Sequence, residues 1–192
     1  MGARCVLTGM RGFAVAMESN QIPAEPAEGT SLSAGAFSGR TAFRQHVRDI
    51  LALAVVQEWP AIVLSDPDFA DWPLGEKAVV QSLHDWSKSG RSLIVLASSF
   101  ELVLSHHARF VDWRRRWDHI VNCRRLGDKQ GSGVSVVPSV VWTPGWVVQR
   151  TSIEKCVGLC TQSAARRAEI RESLDNSLKQ STSGFAASQL GL

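Results

Sequence analysis

The stretch FELVLSHHARFVDWRRRWDHIVNCRRL, residues 100–126, decides the fold, because it places an amphipathic helix directly before a short strand. Its apolar side chains recur at spacings of three and four residues, which puts them on one helix face. His107 and Arg114 interrupt that apolar face. Three consecutive arginines, Arg114 to Arg116, close the helix, where cations meet the negative end of the helix dipole. The following segment predicts a strand around Ile120 and Val121.

The segments before this unit repeat the same alternation of helix and strand. Residues 41–58 and 75–88 carry apolar side chains at helical spacing. The short apolar runs AIVLSD, residues 61–66, and SLIVLAS, residues 92–98, predict buried strands. A strand with apolar side chains on both sides must be buried on both faces of its sheet, so helices are expected to pack on each face. We therefore predict the α/β class, as a three-layer sandwich with a mainly parallel sheet.

The C-terminal part of the chain predicts a β-hairpin and a helix. The runs SVVPSVVW and GWVVQR flank Thr143 and Pro144, which is typical of a hairpin, and Pro138 favours an edge or a bulge. Residues 161–180 form a polar segment with a narrow apolar stripe at helical spacing. This hairpin and helix complete the predicted sandwich.

Composition divides the chain into one domain with a tail at each end. Residues 1–38 include a stretch rich in Ser, Gly, Ala, Pro and Glu, and we expect a disordered N-terminal tail with Met17 as an alternative start. Residues 39–180 are expected to form a single α/β domain, since 192 residues suffice for one sizeable core. Residues 181–192 are expected to be a flexible C-terminal tail.

Charge, cysteine content and hydrophobicity bear on three questions: whether the protein binds nucleic acid, whether it contains disulfides or zinc, and whether it spans a membrane. The net charge of +3 is mildly basic and does not by itself indicate nucleic acid. Four cysteines match no disulfide scaffold, and the pair Cys156 and Cys160 has no second pair at zinc-ligand spacing. We therefore expect reduced thiols and a cytoplasmic location. No apolar run approaches the roughly 20 residues of a membrane span, so no membrane partner is expected.

Arginines and tryptophans concentrate around the end of the central helix. Guanidinium groups pair with phosphates and indole rings stack on bases, so this pattern favours an anionic ligand such as nucleic acid. The alternative interpretation is a solvated helix end, with tryptophans at the rim of the core. The candidate binding residues are Trp113, Arg114, Arg115, Arg116, Trp117, Arg124 and Arg125.

Three acidic residues, Asp66, Asp68 and Asp71, follow the first predicted strand. Ligands in open α/β sheets bind beyond the carboxyl ends of strands, and carboxylates can hold a hard cation. Asp66 and Asp68 also flank Pro67, and such residues commonly form turns. We interpret the trio as turn and cap residues, and predict neither a metal nor a cofactor.

The histidines offer a limited basis for catalysis. His106 and His107 are adjacent on the predicted helix, so they point about 100° apart and cannot share one metal ion. His119 starts the next strand. A catalytic histidine needs a partner within hydrogen-bond reach, and a structural histidine is the alternative interpretation. The catalytic candidates are Asp66, His107 and His119, with no role assigned to any of them.

The order of elements between residues 38 and 150 resembles that of a single phospholipase-D-like domain. The hairpin VVPSVVWTPGWVVQR sits where that superfamily carries its catalytic His-x-Lys and a downstream Asp. Here those positions read Ser139, Val140, Val141 and Trp142. The resemblance therefore implies a degenerate domain that has lost its phosphodiesterase chemistry. The blocks HARFVDWRRRW, VWTPGWVVQR and the closing LGL also look like those of uncharacterised bacterial proteins of similar length, which implies no activity.

Three functional hypotheses follow. The first is a non-catalytic α/β binding domain for an anionic ligand, either nucleic acid or a phosphorylated molecule, or for a protein partner. The second is a phosphodiesterase-like hydrolase that uses His107 or His119 with Asp66 at the end of the sheet. The third is a subunit of a larger assembly. The first is preferred, because the arginine- and tryptophan-rich patch is the strongest of these signals and no G-x-S-x-G, H-E-x-x-H or phosphate-loop motif occurs.

Overall fold

The computed structural model describes residues 32–88, 90–127 and 137–185, together with residue 2. These residues form one eight-stranded sheet and five helices. The strands are β1 (Gly35–Ser38), β2 (Ala61–Ser65), β3 (Ser92–Ala97), β4 (Val121–Arg125), β5 (Val140–Trp142), β6 (Val147–Ser152), β7 (Val157–Thr161) and β8 (Thr182–Ser183). The helices are α1 (Arg40–Val56), α2 (Lys77–Trp86), α3 (Glu101–His106), α4 (Ala108–Arg116) and α5 (Ala164–Gln180).

The sheet is mixed, with the strand order β1-β7-β6-β5-β2-β3-β4-β8. β2, β3 and β4 run parallel, and the other five neighbouring pairs are antiparallel. The prediction of a mainly parallel sheet is therefore wrong. Alternating helices and strands correctly indicated the parallel centre. The β5–β6 hairpin, however, extends the same sheet beside β2, and β7 and β1 add two further antiparallel neighbours.

Side chains that alternate along the central strands separate two apolar layers. Ile62 and Leu64 of β2 contribute to the layer that contains α1, α2 and α4. Val63, between them, contributes to the other layer with Ile170 and Leu174 of α5. Because successive side chains of a strand point to opposite faces, helices cover both faces of the sheet. None of the helices in the described ranges is long and apolar enough to cross a membrane.

The helix predicted from residue 100 onward divides in two at His107. The backbone of His107 leaves the helical region, with φ −118° and ψ 46°, and α4 starts at the next residue. Its ring bonds instead to the Phe69 carbonyl oxygen, 3.0 Å away in the β2–α2 loop. This interruption joins the central helical segment to the loop at the carboxyl end of β2.

The two ends of the described chain take part in the sheet. β1 pairs with β7 and forms one edge, while the two-residue strand β8 pairs with β4 at the other. β1 and β8 thus lie inside the segments predicted as tails, residues 1–38 and 181–192. The division of the chain into tails and a single domain stays a prediction.

Candidate functional site

Arg150 forms a buried ion pair where the polar loop after β2 meets β6. Its Nη2 donates to Asp66 Oδ2 at 2.6 Å, and its Nη1 donates to Asp71 Oδ2 at 3.0 Å. Its Nε donates to Ser139 Oγ at 2.7 Å. The side chains of Arg150 and Asp66 are each 1% exposed. The carboxyl end of β2 therefore holds an Arg150–Asp66 ion pair that water scarcely reaches.

Asp66 also fixes the loop that follows β2. Its Oδ1 accepts the backbone N–H groups of Asp68 at 3.2 Å and Phe69 at 2.8 Å. Phe69 is fully buried and has a φ of 61°, which is unusual for a bulky L-residue. Both carboxylate oxygens of Asp66 are thus occupied, one by the strained loop and one by Arg150.

The charge of Arg150 is secured by its surroundings. Burial alone would lower the pKa of Arg150, but the charge of Asp66 and the hydrogen bonds to Asp66, Cys156 and Asp71 raise it. The guanidinium carbon also lies 4.4 Å from the centre of the Phe43 ring, in a cation–π contact. Arg150 therefore stays protonated across the physiological pH range.

Arg40 and Cys156 complete the cluster. Arg40 Nε lies 2.7 Å from Asp71 Oδ1, and the Arg40 side chain is 66% exposed. Cys156 has a φ of 48° and places its Sγ 3.7 Å from Asp71 Oδ2. Asp71 is thus shared between a buried and an exposed guanidinium group. This cluster lies at the carboxyl end of β2, where the sequence suggested acid–base chemistry.

The catalytic candidates do not converge on one reacting centre. Asp66 and His107 both contact the β2–α2 loop, but Asp66 binds Arg150 and His107 binds the Phe69 carbonyl. His119 precedes β4, whereas Asp66 follows β2. Because β2, β3 and β4 are parallel, His119 and Asp66 lie at opposite ends of the sheet.

The acidic trio has partners within the protein. Asp66 and Asp71 bind Arg150, and Asp68 Oδ1 accepts the backbone N–H of Ala70 at 2.9 Å. Within the described ranges, no group of three histidine, cysteine or acidic side chains is arranged to hold a metal ion. The trio's oxygens thus serve the loop and the arginine.

His107 predicts a specific dependence of stability on pH. Burial lowers the pKa of His107 below its ordinary value of 6.5. Below about pH 6.5 the unfolded chain takes up a proton there that the folded chain binds only at lower pH. The free energy of unfolding should fall as the pH drops below about 6.5, and His107→Gln should make that fall shallower. Urea denaturation between about pH 7 and pH 5 measures it, with the exposed neighbour variant His106→Gln as control. Parallel profiles for the wild type and His107→Gln would exclude this role.

Two of the predicted binding arginines, Arg114 and Arg124, donate hydrogen bonds to the C-terminal segment, residues 181–185. Arg114 is buried, donates through Nε to Cys123 Sγ at 3.0 Å, and donates through Nη2 to the Phe185 carbonyl. Arg124 donates to Ser181 Oγ at 2.9 Å. The side chain of Arg125, also on β4, donates instead to the Ser98 carbonyl at 3.0 Å. The sequence places these arginines in one positively charged patch, which suggested ligand binding. In the structure, their side chains donate hydrogen bonds to other parts of the protein.

Burial keeps the thiol beside Arg114 protonated. Burial raises the pKa of Cys123 to about 11, although the nearby Arg114 guanidinium acts to lower it. A neutral thiol can accept only a weak hydrogen bond. The guanidinium of Arg114 also lies 4.3 Å from the centre of the Phe185 ring. Arg114 therefore serves as an internal anchor for the segment that covers β4.

A groove of about 350 Å³ lies between α2 and α4. We call it the α2–α4 groove. Arg116, predicted from sequence, lies on it, whereas the exposed Arg115 forms an ion pair with Asp112 at 3.2 Å. Trp113 is buried in the lining of the groove, and Trp117 is half-buried next to the lining residue His84. The lining residues are Lys77, Val80, Gln81, His84, Arg109, Asp112, Trp113 and Arg116.

Three of these residues, Lys77, His84 and Arg109, were not predicted from the sequence as binding residues. A signal existed, since Lys77 and His84 are seven residues apart on α2, as are Arg109 and Arg116 on α4. Seven residues span about two helical turns, so each pair shares a face. The opposition of those two faces is a tertiary feature that spacing alone does not reveal.

No protein-family model matches this sequence, and no curated protein sequence matches it. Two solved structures are similar in fold. The archaeal chromatin protein TrmBL2, described as having a novel mode of DNA binding, aligns with a TM-score of 0.53 and 12% identity, over 78% of this chain and 53% of TrmBL2. NucT from Helicobacter pylori aligns with a TM-score of 0.53 and 10% identity, over 80% of this chain and 99% of NucT.

These likenesses show a shared fold. This chain spans about half the length of TrmBL2, and identities of 10% and 12% carry no residue-by-residue correspondence. The α/β class predicted from the sequence is confirmed by the helices and the mixed sheet.

Proposed function

We propose that this protein is a non-catalytic domain that binds nucleic acid through the α2–α4 groove. The observation that carries the proposal is a set of three cations, Lys77, Arg109 and Arg116, along one groove. In the described part of the chain none of them has a carboxylate within 4.0 Å. Cations that are not paired with protein carboxylates can pair with phosphates and release counterions.

The walls of the groove suit a ligand with both charged and flat apolar parts. Val80 and the buried Trp113 line the groove together with the three cations and add apolar surface. Asp112, the acidic residue among those that line the groove, forms an exposed ion pair with Arg115. The DNA binding of TrmBL2, which shares the fold, supports an anionic polymer as the ligand. Arg116 is retained as a candidate binding residue on the groove, and Arg115 as an exposed candidate beside it, while Arg114, Arg124 and Arg125 are proposed to act structurally.

The hydrolase hypothesis receives less support. A general base needs a carboxylate or imidazole that can reach the substrate, directly or through one water. Asp66 is almost fully buried, and both of its oxygens accept hydrogen bonds from the protein. Ser139, where the phospholipase-D-like pattern expects catalytic chemistry, accepts a bond from Arg150. We infer that the buried ion pair replaces a catalytic centre, as expected for a degenerate phospholipase-D-like domain.

Some sequence predictions stay open beside this proposal. The phospholipase-D-like relationship is supported by the order of elements and by the position of the β5–β6 hairpin beside β2. The roles as a subunit of a larger assembly and as a binder of a protein partner stay predictions, as does the cytoplasmic location.

Removing the three groove cations should weaken binding and reduce its dependence on salt. The variant Lys77→Gln/Arg109→Gln/Arg116→Gln loses up to three phosphate contacts. For single strands each contact contributes about 0.7 to the slope of log affinity against log salt, so the slope should become shallower by about 2. Fluorescence anisotropy of a labelled oligonucleotide between about 50 and 200 mM salt measures this slope.

The matched control removes three positive charges elsewhere, with Lys155→Gln/Arg166→Gln/Lys179→Gln. Lys155 follows β6, and Arg166 and Lys179 lie on α5, which covers the opposite face of the sheet. This control should bind almost as the wild type does. Equal losses in the two triple variants would show that net charge alone drives binding. Absence of wild-type binding at low salt would overturn the proposal.

A further inference from the structure

We propose that the ligand of the α2–α4 groove is single-stranded nucleic acid, whose unpaired bases stack on aromatic rings beside the groove. This inference rests on the function proposed above and adds the class of nucleic acid. It is supported by a row of three neighbouring rings, those of His84, Trp117 and His119, which we call the aromatic array. The ring centres of His84 and Trp117 are 5.9 Å apart, and those of Trp117 and His119 are 5.7 Å apart.

The aromatic array continues directly from the cation-lined groove. His84 belongs to both, since it lines the groove and forms a T-shaped pair with Trp117. Arg116, a groove cation, immediately precedes Trp117 at the end of α4. A strand whose phosphates contact Lys77 and Arg116 therefore has aromatic surface within reach of its bases. This juxtaposition of charge and rings is what a polynucleotide requires.

The core holds the aromatic array in place without enclosing it. Trp117 is half-buried and packs on the larger apolar layer, while His84 and His119 are exposed. The backbone N–H of Trp117 donates to the Arg114 carbonyl oxygen at 3.1 Å, which fixes the chain where α4 ends. Within the described ranges, neither His84 nor His119 makes a side-chain hydrogen bond to protein. Their ring nitrogens are therefore available to base edges.

Exposed aromatic rings distinguish single strands from duplexes. In a duplex the faces of the bases are covered by neighbouring bases, so a protein reaches mainly phosphates and groove edges. In a single strand every base has an open face that can stack on an indole or imidazole ring. Groove cations alone would accept either form. The aromatic array therefore favours the single strand.

The test compares a labelled oligodeoxynucleotide without self-complementarity with its duplex, by anisotropy at fixed salt. We expect the single strand to bind more tightly. Trp117→Leu should reduce single-strand affinity about tenfold or more, with the salt slope unchanged, because stacking releases no counterions. Trp117→Phe should retain most of the affinity, and the exposed His119→Ala should show a smaller loss. Binding should also quench tryptophan fluorescence, and Trp117→Leu should remove part of that quenching.

Trp59→Leu is the matched control, since Trp59 is also half-buried against the same apolar layer but lies just before β2. It should leave single-strand affinity unchanged. Equal affinity for both forms, with Trp117→Leu, His119→Ala and the wild type alike, would overturn the stacking inference. If the groove triple variant were still weakened in that case, the proposed function would stand. Failure of both forms to bind would overturn the two together.

Discussion

Arg150→Met is expected to lower the free energy of unfolding by about 3–5 kcal/mol, because it leaves a buried carboxylate without its cation. Asp66 would keep its bonds to the backbone of the β2–α2 loop but lose the 2.6 Å contact to Arg150. Ser139 Oγ would also lose its donor. Methionine restores part of the side-chain volume, so the loss reports charge and hydrogen bonding more than a cavity. Urea denaturation monitored by tryptophan fluorescence measures it.

The contribution of the pair itself is isolated by a second set of variants. Asp66→Leu should also be costly, since it leaves the buried guanidinium group with Asp71 as its remaining carboxylate partner and removes the acceptor of the loop N–H groups. The double variant Arg150→Met/Asp66→Leu should lose less than the two single losses combined, because no uncompensated charge remains. Arg40→Met, at the exposed partner of Asp71, should cost about 1 kcal/mol or less. An Arg150→Met variant as stable as Arg40→Met would contradict the buried-pair interpretation.

Arg114→Met is expected to destabilise the protein by about 1.5–3 kcal/mol and to release residues 181–185. Arg114 donates to the Phe185 carbonyl and to Cys123 Sγ, and it lies over the Phe185 ring. Methionine can fill part of the space but cannot donate to that carbonyl. Hydrogen exchange detects release of the segment through the Gly184 N–H, which donates to the Cys123 carbonyl oxygen at 3.1 Å.

The neighbouring arginine provides the control for this prediction. Arg115 is exposed, and its partner Asp112 is also exposed, so Arg115→Met should change the free energy of unfolding by only about 0.5 kcal/mol. Exchange at Gly184 should remain slow in that variant. Fast exchange in the wild type itself would show that Arg114 does not hold the segment. The same would follow if Arg114→Met and Arg115→Met gave identical exchange rates.

The parallel centre of the sheet was predictable because each of its parts has a strong local signal. The predicted strands at 61–66 and 92–98 match β2 and β3 within one residue at either end. The directions of the remaining strands were not predictable from alternation alone. β7 and β1 come from polar or glycine-containing stretches, so the pairing of β7 with β6 and of β1 with β7 depends on tertiary contacts.

The site was predictable in part. His107 and Arg114 interrupt an apolar helix face in the sequence, and both side chains are buried. That interruption was a signal of internal hydrogen bonds, yet charge clustering suggested a surface role for Arg114. Arg150 gave a comparable signal as the arginine that ends the apolar run GWVVQR. Its partner Asp66 is 84 residues earlier in the chain, a pairing that no local pattern contains.

The most direct test of nucleic-acid binding without cleavage is an NMR titration of the isotope-labelled full chain with a single-stranded oligodeoxynucleotide. We predict that the largest amide shift changes fall in α2 (Lys77–Trp86), in α4 (Ala108–Arg116) and at residues 117–119, and that the oligonucleotide is recovered at full length. Shift changes concentrated on α5 (Ala164–Gln180), or a shortened oligonucleotide, would contradict it.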